Sequence, residues 1–297
     1  MVEYREIECK SALNRVRGMP FSWSLNPYRG CAHGCHYCFA RPTHRFFDLG
    51  IGEDFTGIVY VKRNLAAVLA GELARPKWAR EQVALGTATD PYQPAEGRYR
   101  LTRAALEQLA RFRTPVSLLT KNPMIVRDID LLQEVEARAG LSVCFSTPTV
   151  DEEIWRRTEP GTAPPLQRLA AMRRLVDAGI NAGVLMAPLL PGLSADRAQV
   201  ERTVQAAAEH GACFVGSNVL NLSAELRGYY FGFLRAEYPE LLDGYRRLYG
   251  EKYAPKRYRE RVAARVDELR QEAGIVDRPQ PPRPGPPAAR QLGLALP

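Results

Sequence analysis

The chain has 297 residues, 45% hydrophobic and 25% charged, enough for one large core or two modest domains. Its formal net charge of +8 favours an anionic partner, nucleic acid or a phosphate-bearing small molecule, without choosing between them. No apolar run approaches a membrane span and the start MVEYREIECK has no apolar signal region, so a cytoplasmic protein with no membrane association is expected.

In chain order, the first strand is predicted over FSWSLNPY (21–28), with NLAAVLAGELAR (64–75) as its helix. Between them lies CAHGCHYC (31–38), which holds three of the six cysteines. EQVALGTATD (81–90) reads as a buried strand running into a polar loop. A helix follows over 101–112, with Leu101, Ala105, Leu109 and Phe112 at helical spacing. PVSLLTKN (115–122) is a strand, and 129–140 is a helix closed by a glycine. LSVCFSTPT (141–149) is the next strand. The helix over 164–179 has Pro at its start and Gly at its end. INAGVLMAPLLPG (180–192) is a strand and loop, 194–211 is a helix with Ser194 as its cap, and ACFVGSNVLNL (212–222) is a further strand.

Strands alternating with amphipathic helices indicate parallel βα units, about six of them. A partial (β/α)6 TIM-type barrel and a doubly wound open sheet both fit that count. Either places chemistry at the C-terminal strand ends. Residues 1–222 form this α/β unit, and 223–277 read as a helical extension packed on it. Residues 278–297 are Pro-rich and expected to be disordered.

Six cysteines in a chain of this length do not suggest a disulfide scaffold; clustered in a cytosolic protein, they point to metal or redox chemistry. Structural zinc takes four closed ligands, and His33, His36 or His44 could complete Cys31, Cys35 and Cys38. Zinc sites usually pair their ligands in two separated knuckles, however, and Cys9, Cys144 and Cys213 are isolated. A 4Fe–4S cube takes one thiolate per iron, so three thiolates leave one iron open to a ligand. Gly30 and Gly34 would let the loop wrap closely around it.

The C-x-x-x-C-x-x-C spacing, with Tyr37 before the last cysteine, resembles the signature of the radical S-adenosylmethionine (SAM) enzymes. The segments SALNRVRGMPFSWSLNPYRGCAHGCHYCFAR, GTATDPYQPAE, LLTKNP and TEPGTAPPLQRLAAMRRLVDAGI are similar to the spore photoproduct lyase-like branch, also called DNA-repair-photolyase-like. The resemblance covers roughly residues 10 to 270. It implies a full or partial barrel with the cluster loop after the first strand. It also implies a 4Fe–4S cluster whose open iron chelates SAM. One electron from the reduced cluster then yields a 5′-deoxyadenosyl radical that abstracts hydrogen from substrate. A reducing donor such as a flavodoxin or ferredoxin is implied as a partner. The chain departs from spore photoproduct lyases in one respect: GTATDPYQPAE lacks the cysteine that returns hydrogen to the product radical there. Spore photoproduct repair is therefore not assigned, and a lyase or transferase with nucleic acid as one candidate substrate is expected.

The resemblance also implies site residues. Tyr37 packs over adenine or shields the cluster. Thr87, Thr89 and Asp90 end the second strand, where the family binds the methionine ammonium; a simple Asp-Pro turn is the alternative. Lys121 ends the third strand, where a lysine without a partner is costly, so it meets the SAM carboxylate or ribose. Ser146 and Thr147 bond the ribose hydroxyls or cap a turn. Arg157 and Glu159 pair with one another or face SAM. His33 and His36 are expected on the loop surface. Tyr245, Arg246, Tyr249, Tyr253, Lys256, Arg257, Tyr258 and Arg259 form either a single-strand nucleic-acid surface or an ordinary amphipathic face. The rival reading is a zinc-binding or structural-cluster protein that binds nucleic acid without catalysis.

Overall fold

The computed structural model describes residues 2–276, so the Pro-rich stretch 278–297 lies outside the described residues. Strands β1 (Glu3–Ile7), β2 (Leu13–Arg15), β3 (Trp23–Leu25) and β4 (Tyr28–Arg29) precede the cysteine loop. A 3-10 helix (Arg41–Phe47), α1 (Glu53–Gly57), β5 (Ile58–Lys62) and α2 (Leu65–Leu73) follow it. Then come β6 (Val83–Leu85), α3 (Pro94–Tyr99), α4 (Leu101–Arg111), β7 (Val116–Thr120) and α5 (Ile129–Ala139). Next are β8 (Leu141–Ser146), α6 (Glu152–Thr158), α7 (Pro165–Asp177), β9 (Ala182–Leu189) and α8 (Arg197–Glu209). The chain continues through β10 (Val215–Val219), α9 (Ala224–Glu237), α10 (Leu242–Leu248) and α11 (Lys256–Glu272).

The main sheet has the order β10-β9-β8-β7-β6-β3-β2. Every pair in it is parallel except β2–β3. The six parallel strands therefore run in sequence order without a reversal. That excludes the doubly wound alternative, which needs a switch point, and gives a partial (β/α)6 barrel. Alternation decides which side faces the helices. Val116 and Leu118 of β7, and Val143 and Phe145 of β8, are fully buried. The opposite face carries small side chains in register across four strands: Ser24, Ala84, Ser117 and Ser142.

A second sheet, β1-β5-β4, was not expected. It splits the strand predicted over 21–28. Asn26 and Pro27 end β3: the Asn26 side chain binds Ala88 N (2.8 Å) and Thr87 Oγ1 (3.3 Å). Pro27 has no N–H for a ladder, and its carbonyl accepts from Lys62 N at 3.3 Å. The chain then crosses to β4, which pairs antiparallel with β5 and delivers the cysteine loop.

The C-terminal helices have two placements. α11 packs on β10 and α8 through buried Val262, Val266 and Leu269, and so takes the helix position of the sixth βα unit. α9 packs on the 3-10 helix that follows the cysteine loop. Tyr245 and Tyr249 are core residues, 2% and 1% exposed, as the amphipathic alternative for the aromatic–basic stretch expects of its tyrosines. One expectation is corrected here. Ser194 does not cap α8; its Oγ accepts from Leu190 N at 2.9 Å inside the preceding turn, and Asp196 occupies the N-cap.

Candidate metal centre and cofactor site

The cysteine loop is held from several elements at once. Gly30 has φ +85°, and a Cβ there would meet Ile58 O at 2.5 Å and His44 Cε1 at 2.8 Å. The Gly30 carbonyl accepts from Thr89 Oγ1 (2.8 Å) and Gln93 Nε2 (3.0 Å). Gln93 Oε1 accepts from Ala32 N at 3.0 Å. On the opposite side His36 N donates to Thr158 O (3.0 Å) and Gly161 N donates to His33 O (3.0 Å). Inside the loop, Gly34 N to Cys31 O and Cys38 N to Cys35 O, both 3.3 Å, coil the chain between the three cysteines. Arg41, 1% exposed, closes it from below. Its guanidinium donates to the carbonyls of Gly34 (2.7 Å), Cys35 (3.0 Å), Ile51 (2.9 Å) and Gly52 (3.1 Å). Nothing in the local sequence pattern marks Arg41 for this role.

Cys31 and Cys35 are buried and Cys38 is partly so. Burial pushes the Cys38 thiol up to about 11 and raises Cys35 well above its ordinary value. Metal ligation reverses that preference outright, because the bound cation stabilises the thiolate. The nearby imidazoles are packed inward, which corrects the surface placement of His33 and His36. His33 is 2% exposed, with Nδ1 at 3.3 Å from Asp90 Oδ2. His36 stacks on Phe233 (4.3 Å between centroids) with Nδ1 at 3.2 Å from Tyr229 Oη. Burial, then the Arg41 charge, lower its pKa to about 4. His44 Nε2 lies 3.0 Å from Ile58 O. Among the described residues, no group of three or more His, Cys, Asp or Glu side chains is arranged to hold a single ion. Three thiols in one loop fit a cube with one thiolate per iron, which leaves the fourth iron open.

The strand-end residues come together around this loop. Asp90 accepts from Tyr92 N (2.9 Å), Thr120 Oγ1 (2.7 Å) and Lys121 N (2.6 Å). Thr87 and Thr89 hold Asn26 and Gly30 respectively. Lys121 Nζ donates to Ser146 Oγ (2.6 Å) and Glu159 Oε1 (3.0 Å), and lies 5.6 Å from the Tyr37 ring centroid. Burial brings its pKa down to about 8, even though Cys35 and Asp90 favour the charge. Ser146 Oγ donates onward to Ala187 O (3.0 Å). Thr147 Oγ1 is buried at the end of β8 with no partner. Glu159, 2% exposed, is the hub: it accepts from Tyr37 Oη, Arg168 and Thr162 Oγ1 as well as Lys121. The partner that Lys121 needs is therefore in the chain itself. Arg157 is not part of this group; it pairs with Glu153 at 2.8 Å on the surface. The sequence signal for Arg168 is weak: a helical arginine is normally read as solvated, and this one is 0% exposed.

Residues 25–205 match the Radical SAM superfamily. An uncharacterized protein of Mycobacterium tuberculosis (strain ATCC 25618 / H37Rv) is 42% identical over 287 residues, covering 95% of this chain and 84% of that protein. Among solved structures, a spore photoproduct lyase point mutant superposes with a TM-score of 0.70 at 15% identity, covering 91% of this chain and 79% of the other. A double mutant of that lyase with bound AdoMet and dinucleoside spore photoproduct gives 0.67 at 15% identity, covering 90% and 78%. At such identity these two structures carry the fold alone. No helix among the described residues is long and apolar enough to cross a membrane. The superfamily match takes in the whole cysteine loop and the C-terminal ends of five of the six parallel strands. This chain thus belongs to the radical SAM superfamily, whose enzymes use a 4Fe–4S cluster and SAM and require a reductant.

Proposed function

We propose that this enzyme abstracts hydrogen from a nucleic-acid substrate that enters at the C-terminal strand ends, in a reaction of lyase or transferase type. When bound, the cluster and SAM supply the electron and the 5′-deoxyadenosyl radical that such chemistry requires. Cys31, Cys35 and Cys38 ligate three irons. Lys121, steadied by Ser146 and Glu159, meets the SAM carboxylate. Thr147 Oγ1, buried and unpartnered, takes a ribose hydroxyl, and the Tyr37 ring lies against adenine. Thr87, Thr89 and Asp90 are assigned to holding the loop, because their polar atoms already bind chain groups. A flavodoxin or ferredoxin is the proposed class of donor.

One observation carries the substrate class. Tyr253 is 51% exposed, and its backbone bridges to Asn221 just beyond β10, at the mouth of the barrel. Lys252 Nζ and Arg259 lie 5.1 and 5.4 Å from its ring centroid. An exposed ring flanked by two cations suits a stacked base with phosphates on either side. The lyase of similar fold that holds a dinucleoside supports the same class.

The test is anaerobic incubation of reconstituted, dithionite-reduced protein with SAM, followed by chromatography for 5′-deoxyadenosine. Production above a Cys35→Ala control, increased by oligonucleotides, is expected. No production under any condition overturns the catalytic reading. Production that oligonucleotides leave unchanged overturns the nucleic-acid assignment.

A further inference from the structure

We propose that Arg168 is a positioning residue for SAM recognition: it fixes the two acceptors that hold Lys121, and so aims the Lys121 ammonium at the ligand carboxylate. The inference rests on the assignment of Lys121 to the SAM carboxylate and is independent of the substrate.

Lys121 Nζ has two hydrogen-bond partners in the chain, Ser146 Oγ at 2.6 Å and Glu159 Oε1 at 3.0 Å. They come from different segments: Ser146 ends β8 and Glu159 follows α6. One guanidinium joins them. Arg168 Nη1 donates to Ser146 O at 2.8 Å, and Nη2 donates to Glu159 Oε2, the oxygen that Lys121 does not use. The spacing of the two acceptors is therefore set by a planar fork rather than by the flexible lysine stem.

Arg168 is itself held on every side. Nε donates to Ala163 O at 2.8 Å, and Nη2 also donates to Thr162 Oγ1 at 2.6 Å. Thr162 Oγ1 in turn accepts from Trp155 Nε1 at 2.8 Å. The Lys121 side chain keeps 13% exposure and that of Arg168 none. Of the two cations, only Lys121 can meet a ligand without rearrangement, so Arg168 acts through it.

Helix stability does not account for this arginine. Arg168 lies near the N-terminus of α7, the positive end of the helix dipole, where a cation is disfavoured. Burying a guanidinium is costly, and an apolar side chain of similar volume would pack as well. Among the linked groups Lys121, Ser146, Glu159 and Arg168 there are two cations and one carboxylate. A ligand carboxylate on Lys121 balances the set.

The experiment is a double-mutant cycle on SAM affinity, read by anaerobic calorimetry on reconstituted protein, with iron and sulfide measured on the same samples. Arg168→Lys keeps a cation against Glu159 but cannot span both acceptors. It is expected to retain its iron and to weaken SAM binding about 10-fold. In the Lys121→Met background the same change should cost nothing further, because the group it positions is gone. A loss of equal size in both backgrounds is what a merely structural arginine gives, and it overturns the proposal; so does no loss in either. Lys121→Met with wild-type affinity refutes the assignment of Lys121 itself, and the proposal with it. If Arg168→Lys loses its iron, a crystal structure of the wild type with SAM decides. Lys121 Nζ is expected on the ligand carboxylate with Ser146 and Glu159 still its partners. A Lys121 that has left both of them to reach the ligand overturns the proposal.

Discussion

Lys121 carries the sharpest conflict between burial and charge at the strand ends. Its pKa falls from 10.5 to about 8 because burial penalises the ammonium. Between those two values the unfolded chain binds a proton that the folded chain lacks, so stability from this group rises with pH across that window. Below about 8 the penalty is fully present. Lys121→Met should therefore remove a positive stability slope between pH 8 and 10.5, read as the difference from wild type in urea unfolding of the apoprotein. Glu159 keeps Arg168, so no charge is left unpaired. The same variant should weaken SAM binding about 10- to 100-fold, the effect of one hydrogen bond to a charged group. Unchanged affinity by anaerobic calorimetry would remove Lys121 from the SAM site. Arg41 poses the opposite case. Arg41→Met strands four carbonyls, each costing about 1–3 kcal/mol if it stays buried. A much lower urea midpoint and poor iron retention are expected, and Arg41→Lys should recover little, since an ammonium cannot span the same fork.

Loop and helix meet through glycines of two kinds. Gly161 is required by contact: Gly161→Ala drives a methyl into the Ala32 carbonyl and should expel the cysteine loop from its position. The measurement is iron content after reconstitution, and full loading would show that the loop tolerates the shift. Gly232 of α9 has nothing within 4 Å of the position of a Cβ. Gly232→Ala should therefore stabilise the protein by about 0.5–1 kcal/mol through helix propensity, seen as a higher Tm. Legibility in the sequence followed the same division. β7, β8 and the helices α4, α5, α7 and α8 could be read because their apolar periods are long and punctuated by Pro165, Gly140 and Gly179. The sheet β1-β5-β4 could not. β1 is half exposed on both faces and β4 has two residues, so neither shows a period.

Across the whole molecule, α11 decides closure. It covers β10 and α8 with Val262, Val266 and Leu269, and its residues belong to the same hydrophobic core as Ala12 and Leu13. Ending the chain at residue 255 should leave that face bare and give aggregated or largely unfolded protein, by circular dichroism and gel filtration. A folded, monomeric product would show that the first five units suffice. The barrel mouth gives a second prediction. Lys252→Gln with Arg259→Gln should lower the slope of log affinity against log salt for a single-stranded oligonucleotide by about 1–2, read by fluorescence anisotropy. An identical slope would mean that Tyr253 and its cations do not meet phosphate.

The sequence by itself determined the chemistry class, because three thiols in eight residues are a local pattern that needs no fold to be recognised. It also determined the sequence of βα units, since helix and strand periods are local. The tertiary structure alone decided what each polar strand end does. Asp90 lies closer in sequence to Tyr92 than to His33, yet its carboxylate joins the cysteine loop, the turn after β6 and the end of β7. Glu159 likewise gathers Tyr37, Lys121, Thr162 and Arg168 from separate segments. Buried charges take their meaning from partners that must be close enough to offset desolvation. Those partners become neighbours only when the strands are laid side by side.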